Sequence, residues 1–525
     1  NATYIIWNLQ NQINVAIDSI IRQTISSEVK KSRFFTLIAD ETMDCATQSQ
    51  FSMCLRYVDM DDLHIRERFL CFSELSSTCA ENISENILNI LKDNDLDGNL
   101  LRGQAYDGCS AMSREFNGVQ AKFKNAYPKA LYVHCLSHQL NLCLTHASTV
   151  HQIRNAIGVI TEVGNFFSKS PKRSNQLALS IKENTDDDVL VRKLKTLCVT
   201  RWVESHVAVL RFIELFPALL HAMNYFSIND DSKTSSKAST LLTSLSSSEF
   251  LISIAILSKT SALILPLSEA LQSVDLDLHF AVENVEEVKE QLEAMCTDGS
   301  FAVIHANACS MAILAGSEIK LPRILPRQLH RGNVPSENSL EYYNRNIFLP
   351  YIDYLIMQFK SRFADGRNTA LKLQCLIPKY SSMSSFPDIM EAAQFYADDL
   401  HESSCEVLEA EFNRWTSKWT KLPISQRPTS AIESLRSCNR LFFPNIFVFL
   451  HIFATIPVTS ASSERSFSTQ RRLKTYLRST MKTSRLSGLT HMTMNRDITI
   501  THQQDGVDKI VDELAKSKRK LNFCL

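Results

Sequence analysis

The first third of the chain alternates between helical and extended spacings of its apolar residues. Apolar positions recur at helical spacing from Ile13 to Val29, and a continuous apolar run, Phe34–Ala39, then leads directly into Asp40. Two further strand-like runs, 51–58 and 65–72, are separated by a short acidic turn. This pattern predicts a helix, a strand and a β-hairpin in that order.

The alternation continues to about residue 135. Apolar positions at helical spacing predict a helix over 81–94, and a strand over 101–106 follows and ends at Asp107. A second helix over 119–126 and an apolar run over 130–133 complete the series. The resulting order, β-β-β-α-β-α-β, is typical of a mixed sheet covered by helices.

Beyond residue 137 the strand signal fades. The remaining helical segments are predicted at 151–168, 203–225, 238–274, 280–296, 338–362 and 386–415. The stretch Asp230–Ser248, rich in Ser, Thr and Asp, predicts a loop. The tail returns to an apolar element, Leu441–Val458, followed by a basic helix from Ser462 to about Leu489.

We therefore predict an α/β fold in which a large all-α insertion interrupts the core. The predicted parts are a helical lead-in at 1–30, the first part of the core at 31–150, a mainly α-helical insertion at 151–440, the end of the core at 441–500 and a C-terminal tail at 501–525.

Composition narrows the class of protein. Lys plus Arg and Asp plus Glu both total 56, so any contact with nucleic acid has to come from local patches. The 14 cysteines include no Cys-x-x-Cys pair, which favours reduced thiols and an intracellular protein. The apolar run 441–458 is interrupted by two prolines, an asparagine and a histidine, which favours a buried element over a membrane span.

Asp40 and Asp107 are the first candidates for chemistry. If the first and fourth strands are neighbours, both carboxylates reach the same sheet edge, where rigid acids can hold the two metal ions of phosphoryl transfer. An Asp at a strand end also commonly accepts hydrogen bonds from nearby backbone N–H groups and has no further role. Spacing alone favours this second interpretation.

Five ordered segments resemble the signature blocks of hAT superfamily DNA transposases and of transposase-derived host proteins with MYM-type zinc fingers. They read FFTLIADETMD at 34–44, GQAYDGCSAM at 103–112, VHCLSHQLNL at 133–142, LCVTRWVES at 197–205 and PVTSASSERSFST at 457–469.

The resemblance implies an RNase H-like sheet and a catalytic, metal-binding triad of Asp40, Asp107 and Glu464 that uses Mg²⁺ or Mn²⁺. The long helical stretch between Asp107 and Glu464 agrees with the insertion found in hAT relatives. Glu464 also has a structural interpretation, since an acid in the first turn of a helix stabilises the helix dipole.

The same resemblance implies roles for two further pairs. Arg201 and Trp202 occupy the position of an Arg-Trp pair whose Trp stacks on a base flipped from flanking DNA; the alternative is a core aromatic. Cys135 and His138 match a Cys-x-x-His element. Since no second pair of metal ligands is evident, we interpret them as structural rather than as a zinc site.

Basic residues after Glu464 are the remaining DNA signal: Arg471, Arg472, Lys474 and Arg478 are candidates for phosphate contacts. The resemblance further implies double-stranded DNA partners, both transposon ends and target, and a homodimer or higher homo-oligomer formed through 441–458 and the helix after it. A basic run at 516–520 favours a nuclear location.

Three functions follow from these patterns. The first is a hAT transposase that performs metal-dependent strand cleavage, hairpin formation on flanking DNA and strand transfer. The second is a domesticated, noncatalytic nuclear protein that binds DNA or protein, since a fold does not establish an activity. A plain RNase H-type nuclease is disfavoured because it needs neither the insertion nor the Arg-Trp pair.

Overall fold

A computed structural model describes residues 7–184, 194, 202–322, 336–363, 369–380, 385–498 and 504–516. The chain forms two compact units. The first unit comprises Asn1–His138, Leu271–Ala281 and Gly366–Leu525, and the second comprises Gln139–Ala270 and Val282–Asp365. All five strands lie in the first unit, which we call the sheet unit; the second is the helical unit.

The strands form one mixed sheet in the order β3-β2-β1-β4-β5. Their bounds are β1 Phe35–Met43, β2 Ser49–Val58, β3 Ile65–Glu74, β4 Leu101–Tyr106 and β5 Leu131–His134. β1 pairs antiparallel with β2 and parallel with β4, while β4 pairs parallel with β5. β1 is therefore the strand on which the antiparallel hairpins and the parallel crossover units meet.

Helices cover most of the remaining chain. In chain order they are α1 Trp7–Ser32, α2 Ala80–Asp93, α3 Ser110–Ser113, α4 Val119–Ala126, α5 Leu136–Ala147, α6 His151–Ser168, α7 Pro171–Asn184, α8 Trp202–Glu214, α9 Phe216–Asn229, α10 Ser232–Leu245, α11 Ser248–Ala270, α12 Leu278–Ala294, α13 Asp298–Leu314, α14 Ser339–Tyr343, α15 Leu349–Arg362, α16 Pro387–Phe395, α17 Cys405–Thr420, α18 Ala431–Arg436, α19 Pro444–Thr455, α20 Ala461–Leu473, α21 Thr483–Met494 and α22 Gln504–Ala515.

The two faces of the sheet bury different helices. Because side chains alternate along a strand, Phe35, Leu37 and Ala39 of β1 point to one face, where α1, α2 and α4 supply the core. Ile38 points to the opposite face and packs in a cluster with Phe467 of α20. The C-terminal helices thus complete the core that the first strands begin.

The predicted order of elements is confirmed, and so is the α/β class with a mixed sheet and a large helical region. The helical unit follows β5 and separates the five strands from the C-terminal helices of the sheet unit. Segments 203–225 and 386–415, each predicted as one helix, contain two helices each. Two further local predictions were also wrong. Asp230–Ser248 contains helix α10, whose first turn is capped by the Asp231 carboxylate accepting from the backbone N–H groups of Lys233 and Thr234. The basic helix expected from Ser462 to Leu489 is two helices, α20 and α21.

The helical unit differs in extent from the predicted insertion at 151–440. It begins at Gln139, and residues 366–440 group with the sheet instead. A buried ion pair is one of the contacts that join this segment to the sheet, since the Arg102 guanidinium on β4 contacts the Asp399 carboxylate, with Nε and Oδ2 3.1 Å apart. Sequence periodicity does not predict a pair between residues so far apart in the chain.

Helix α11 is long and apolar enough to cross a bilayer, but 67% of its most apolar window is buried within the protein, as in a core helix. Among the described residues, the bent pair Val203–Glu214 and Phe216–Asn229 passes the same test only when both helices are taken together. Two such helices are weak evidence for a membrane span.

The Arg102–Asp399 pair gives a test of how the sheet unit is held together. The two side chains are 2% and 5% exposed. Asp399→Ala leaves the guanidinium buried without its carboxylate, and we expect a loss of about 3–5 kcal/mol in the free energy of unfolding. Urea denaturation followed by circular dichroism measures this loss.

Asp398 supplies the matched control, because its side chain is 91% exposed. Asp398→Ala should leave the urea midpoint nearly unchanged. Equal midpoint shifts for the two variants would mean that the buried pair does not anchor residues 366–440 to β4.

Candidate active site at the sheet edge

The sheet register brings Asp40 and Asp107 to one edge. Ile38 pairs with Ala105 in the parallel β1–β4 ladder, and both pack on the α20 face. Asp40 and Asp107 each lie two residues beyond this pair, and Asp107 directly follows β4. Because side chains alternate between the two faces of a sheet, both carboxylates are directed toward the α20 face. Their predicted adjacency is thus supported by the strand order, although Asp40 does not end β1, which continues to Met43 beside β2.

Helix α20 carries Glu464 to the same face. The Ser463 hydroxyl donates to the Ile38 carbonyl oxygen at 3.3 Å, and the hydroxyls of Ser466 and Ser52 lie 2.6 Å apart. These bonds place the first turn of α20 directly over the middle of β1. Glu464 lies in that turn, where a carboxylate also interacts favourably with the helix dipole.

The three carboxylates influence one another electrostatically. Burial raises the pKa of Asp40 well above its usual range, and the charges of Asp107 and Glu464 raise it further. The Glu464 pKa is raised by burial and by Asp107, against the opposing effect of Arg465. The Glu464 side chain is nevertheless exposed to solvent.

Glu41 is a further acid that sequence reasoning missed. Burial and the nearby Asp107 charge raise its pKa, and its Oε2 atom is buried without a hydrogen-bond partner. Burial, followed by the same Asp107 charge, raises the pKa of the Cys109 thiol to about 12. Glu41 directly follows Asp40 in the sequence, and that adjacency was the only signal available.

Local backbone bonds orient both aspartates. Asp40 Oδ1 accepts from the Glu41 N–H at 2.8 Å, and Asp107 Oδ1 accepts from the Cys109 N–H at 3.3 Å. Gly108 keeps the space beside Asp107 open, since a Cβ there would lie 2.6 Å from His134 Nε2. We call the sheet edge that carries Asp40, Asp107 and Glu464 the acid edge. The Asp-Gly pair therefore allows His134 of β5 to pack against it.

A divalent cation fits this edge in chemistry but not yet in geometry. Carboxylate oxygens are the ligands that Mg²⁺ and Mn²⁺ prefer, and acids that raise one another's pKa concentrate negative charge that a cation would offset. Within the described residues, however, no three His, Cys, Asp or Glu side chains are grouped so that they could hold a metal ion. Asp40, Asp107 and Glu464 would have to approach one another to do so.

Cys135 links the strand side of the edge to the chain before α20. Its sulfur accepts from the Ser460 N–H at 3.2 Å and from the His138 N–H at 3.4 Å. Cys135 is fully buried, and burial together with the Glu464 charge raises its pKa to about 12. These contacts agree with the structural role predicted for the Cys-x-x-His element.

Lys474 was predicted to bind DNA, and its position contradicts this. Its ammonium lies 2.6 Å from the Asp44 carboxylate, and both side chains are 1% exposed. Burial opposes ionisation of Asp44, but hydrogen bonds from Lys474 and from the Gln48 and Ala46 N–H groups lower its pKa. Lys474 therefore joins the end of α20 to the turn after β1 instead of facing solvent.

The other predicted DNA contacts have different outcomes. Arg471, Arg472 and Arg478 are exposed, as phosphate contacts require. Arg201 lies outside the described residues. Trp202 begins α8 in the helical unit, and its side chain lies outside the described structure, so its stacking role stays a prediction.

The apolar run predicted as a dimer surface is largely internal. Helix α19 is buried along nearly its whole length. Of the predicted run, Leu441 and Phe442 are the large apolar residues that stay exposed, at 90% and 58%. A fully buried helix and a dimer interface are both rich in apolar residues, so the composition of this run did not distinguish the two.

Comparison with known families agrees with this architecture. Residues 1–118 match the family described as ZMYM1/FAM200, RNase-like domain, and residues 411–498 match the hAT family C-terminal dimerisation region. The chain is therefore a hAT-related protein, as its motifs predicted, with an RNase-like domain that contains Asp40 and Asp107 and a dimerisation region that contains Glu464.

Two curated relatives extend the similarity along the chain. The human protein named 52 kDa repressor of the inhibitor of the protein kinase is 27% identical over 525 residues, which cover 97% of this chain and 67% of that protein. The mouse protein of the same name is 27% identical over 95% of this chain and 66% of its own length. This chain thus spans about two thirds of the length of these relatives.

The acid edge predicts an unusual pH dependence of stability in metal-free buffer. An acid whose pKa is raised by folding destabilises the native state at any pH above its ordinary value of about 3.9. Asp40→Asn should therefore raise the free energy of unfolding at pH 7 relative to the wild type. The gain should disappear as the pH falls to about 4.

Asp62→Asn is the control of opposite sign. Burial opposes ionisation of Asp62, but the His64 N–H and the charges of Arg66 and His64 together lower its pKa, so its ionised form is favoured by folding. Guanidinium denaturation of both variants across this pH range measures the two trends. A destabilised Asp40→Asn protein at pH 7 would show that Asp40 is not held among like charges.

Proposed function

We propose that this chain is a domesticated, transposase-derived nuclear protein that binds DNA as a homodimer. The main observation in support of DNA binding is the sequence between Glu464 and Asp497. It contains no acid and exposes Arg471, Arg472 and Arg478. Exposed arginines without neighbouring acids are suited to phosphate contacts. The relatives named as repressors support a regulatory role in place of transposition.

The dimerisation region supports self-association. We propose that the exposed Leu441 and Phe442 contribute to this contact, because large apolar side chains at a surface are enriched in interfaces. The buried α19 would then act as the scaffold beneath them, and the arginines after Glu464 would be present twice in the assembly.

Sedimentation velocity tests the dimer. We expect a dimer at micromolar concentration, and a shift toward monomer in the Leu441→Asp, Phe442→Asp double variant. Ile424→Asp is the matched control, since Ile424 is 61% exposed within the same region. A wild-type protein that is monomeric throughout the concentration series would contradict the proposal, as would equal loss in the control.

Fluorescence anisotropy with a labelled DNA duplex tests the DNA contact. We expect binding that weakens as salt is raised, because cations displaced from the phosphates drive association. Acetylated bovine albumin in excess serves as the competitor for nonspecific protein contacts. The DNA-binding proposal would be contradicted if the wild-type protein bound no duplex at low salt.

A second candidate function, DNA strand cleavage, is favoured by the charge coupling among Asp40, Asp107 and Glu464. These three side chains would hold Mg²⁺ or Mn²⁺, which when bound would activate water and stabilise the leaving oxygen. The chain's own contribution is to hold the acids on two strands and a helix. Cleavage requires these acids to draw together around the ion.

Nicking of supercoiled DNA and of candidate transposon ends, with Mg²⁺ and with Mn²⁺, separates the two functions. For a domesticated protein we expect wild type, Asp107→Ala and Glu464→Ala to share the same background. Nicking by the wild type that both substitutions reduce by 100-fold or more would instead establish the catalytic function.

A further inference from the structure

Residues 471–482, which we call the basic arm, run from the last turn of α20 to the start of α21 in the sheet unit. At its tip Tyr476 and Leu477 are 85% and 91% exposed, in a 3₁₀ turn spanning Tyr476–Arg478. Large apolar side chains left this bare are unfavourable in water unless a partner covers them.

The base of the basic arm is fixed. The buried Lys474–Asp44 pair holds its first residues, and the Cys45 thiol donates to the Lys474 carbonyl oxygen at 3.4 Å. At the other end, Met481 packs against the core cluster beneath α20, and Thr483 contacts Gln50 of β2, with Oγ1 and Nε2 3.3 Å apart. The tip is therefore a presented turn on a rigid support.

The charged side chains that the arm itself exposes are all basic. Arg471, Arg472, Arg478 and Lys482 are all exposed, and among the described residues none of them forms an ion pair. The nearest acids in sequence on either side are Glu464 and Asp497. A partner for this surface must be negatively charged and must also offer a flat apolar face to Tyr476.

We propose that the basic arm binds DNA at an unpaired base. The arginines contact the flanking phosphates, Tyr476 stacks on the unpaired base, and Leu477 fills the space that this base leaves in the duplex. Nucleic acid combines the two required chemistries, since phosphates surround bases whose faces stack on aromatic rings. Apolar side chains that enter a base step act in the same way in DNA-bending proteins. This inference rests on the proposed DNA-binding function and names the DNA feature that the site prefers.

The rigid base strengthens the inference energetically. A preorganised turn loses little conformational freedom when it binds, so the stacking energy is retained as affinity. Because the tip side chains have almost no contacts within the protein, changing them should leave the fold intact.

The test uses the full chain and three labelled DNA probes of one sequence: a complete duplex, the same duplex with a single unpaired base, and the single strand. We expect wild type to prefer the probe with the unpaired base. The Tyr476→Ala, Leu477→Ala double variant should lose about tenfold in affinity for that probe, a loss of the size of one base–aromatic stack. Its affinity for the complete duplex should fall much less. Ile313→Ala, at a position 77% exposed in the helical unit, is the matched control and should bind as wild type.

A second variant set isolates the phosphate contacts. Replacing Arg471, Arg472 and Arg478 by Gln should weaken binding to all three probes and reduce the slope of log affinity against log salt by about one for each arginine. Wild-type affinity for every probe in the tip variant would overturn the inference while leaving the DNA-binding proposal intact. Loss of the dimer in the tip variant would also overturn it, because the arm would then be a protein contact. Absence of any DNA binding by wild type would instead overturn the proposed function itself.

Discussion

The crowding of negative charge at one sheet edge is the constraint on which the rest of the sheet unit depends. Asp40 lies on β1, Asp107 directly follows β4 and Glu464 lies in α20. Burial, and then the charges of Asp107 and Glu464, raise the pKa of Asp40. Like charges held close together at a partly buried sheet edge oppose folding. The surrounding structure must therefore provide enough favourable contacts to keep the three elements together.

Those contacts are found where the C-terminal helices return to the first strands. Serine hydroxyls join α20 to β1 and β2, and the Lys474–Asp44 pair closes the far end of the helix. On the other flank, Arg56 of β2 donates to Glu67 of β3 at 2.8 Å, and Glu67 also accepts from the Ser462 hydroxyl. Each contact joins residues at opposite ends of the chain or neighbouring strands, so the edge forms only when the whole unit has folded.

The same features explain how far the sequence could be interpreted. Apolar runs predicted the strands that lead to Asp40 and Asp107, because these signals are local. That the two strands are neighbours was a condition, which the strand order meets. Glu464 required the family motif, since no periodicity connects it with β1. Lys474 was assigned to DNA because a lysine in a basic stretch reads as exposed, whereas its partner Asp44 is distant in sequence. The buried element predicted at 441–458 is confirmed by α19, whereas the grouping of residues 366–440 with the sheet depends on tertiary pairing.

The central claim is that the carboxylates at this edge repel one another. A double-mutant cycle of Asp40→Asn and Asp107→Asn, measured as free energies of unfolding in metal-free buffer at pH 7, tests it most directly. The account predicts that either substitution already relieves the shared repulsion, so that the double variant gains less stability than the two single gains added together. Strictly additive effects would contradict it.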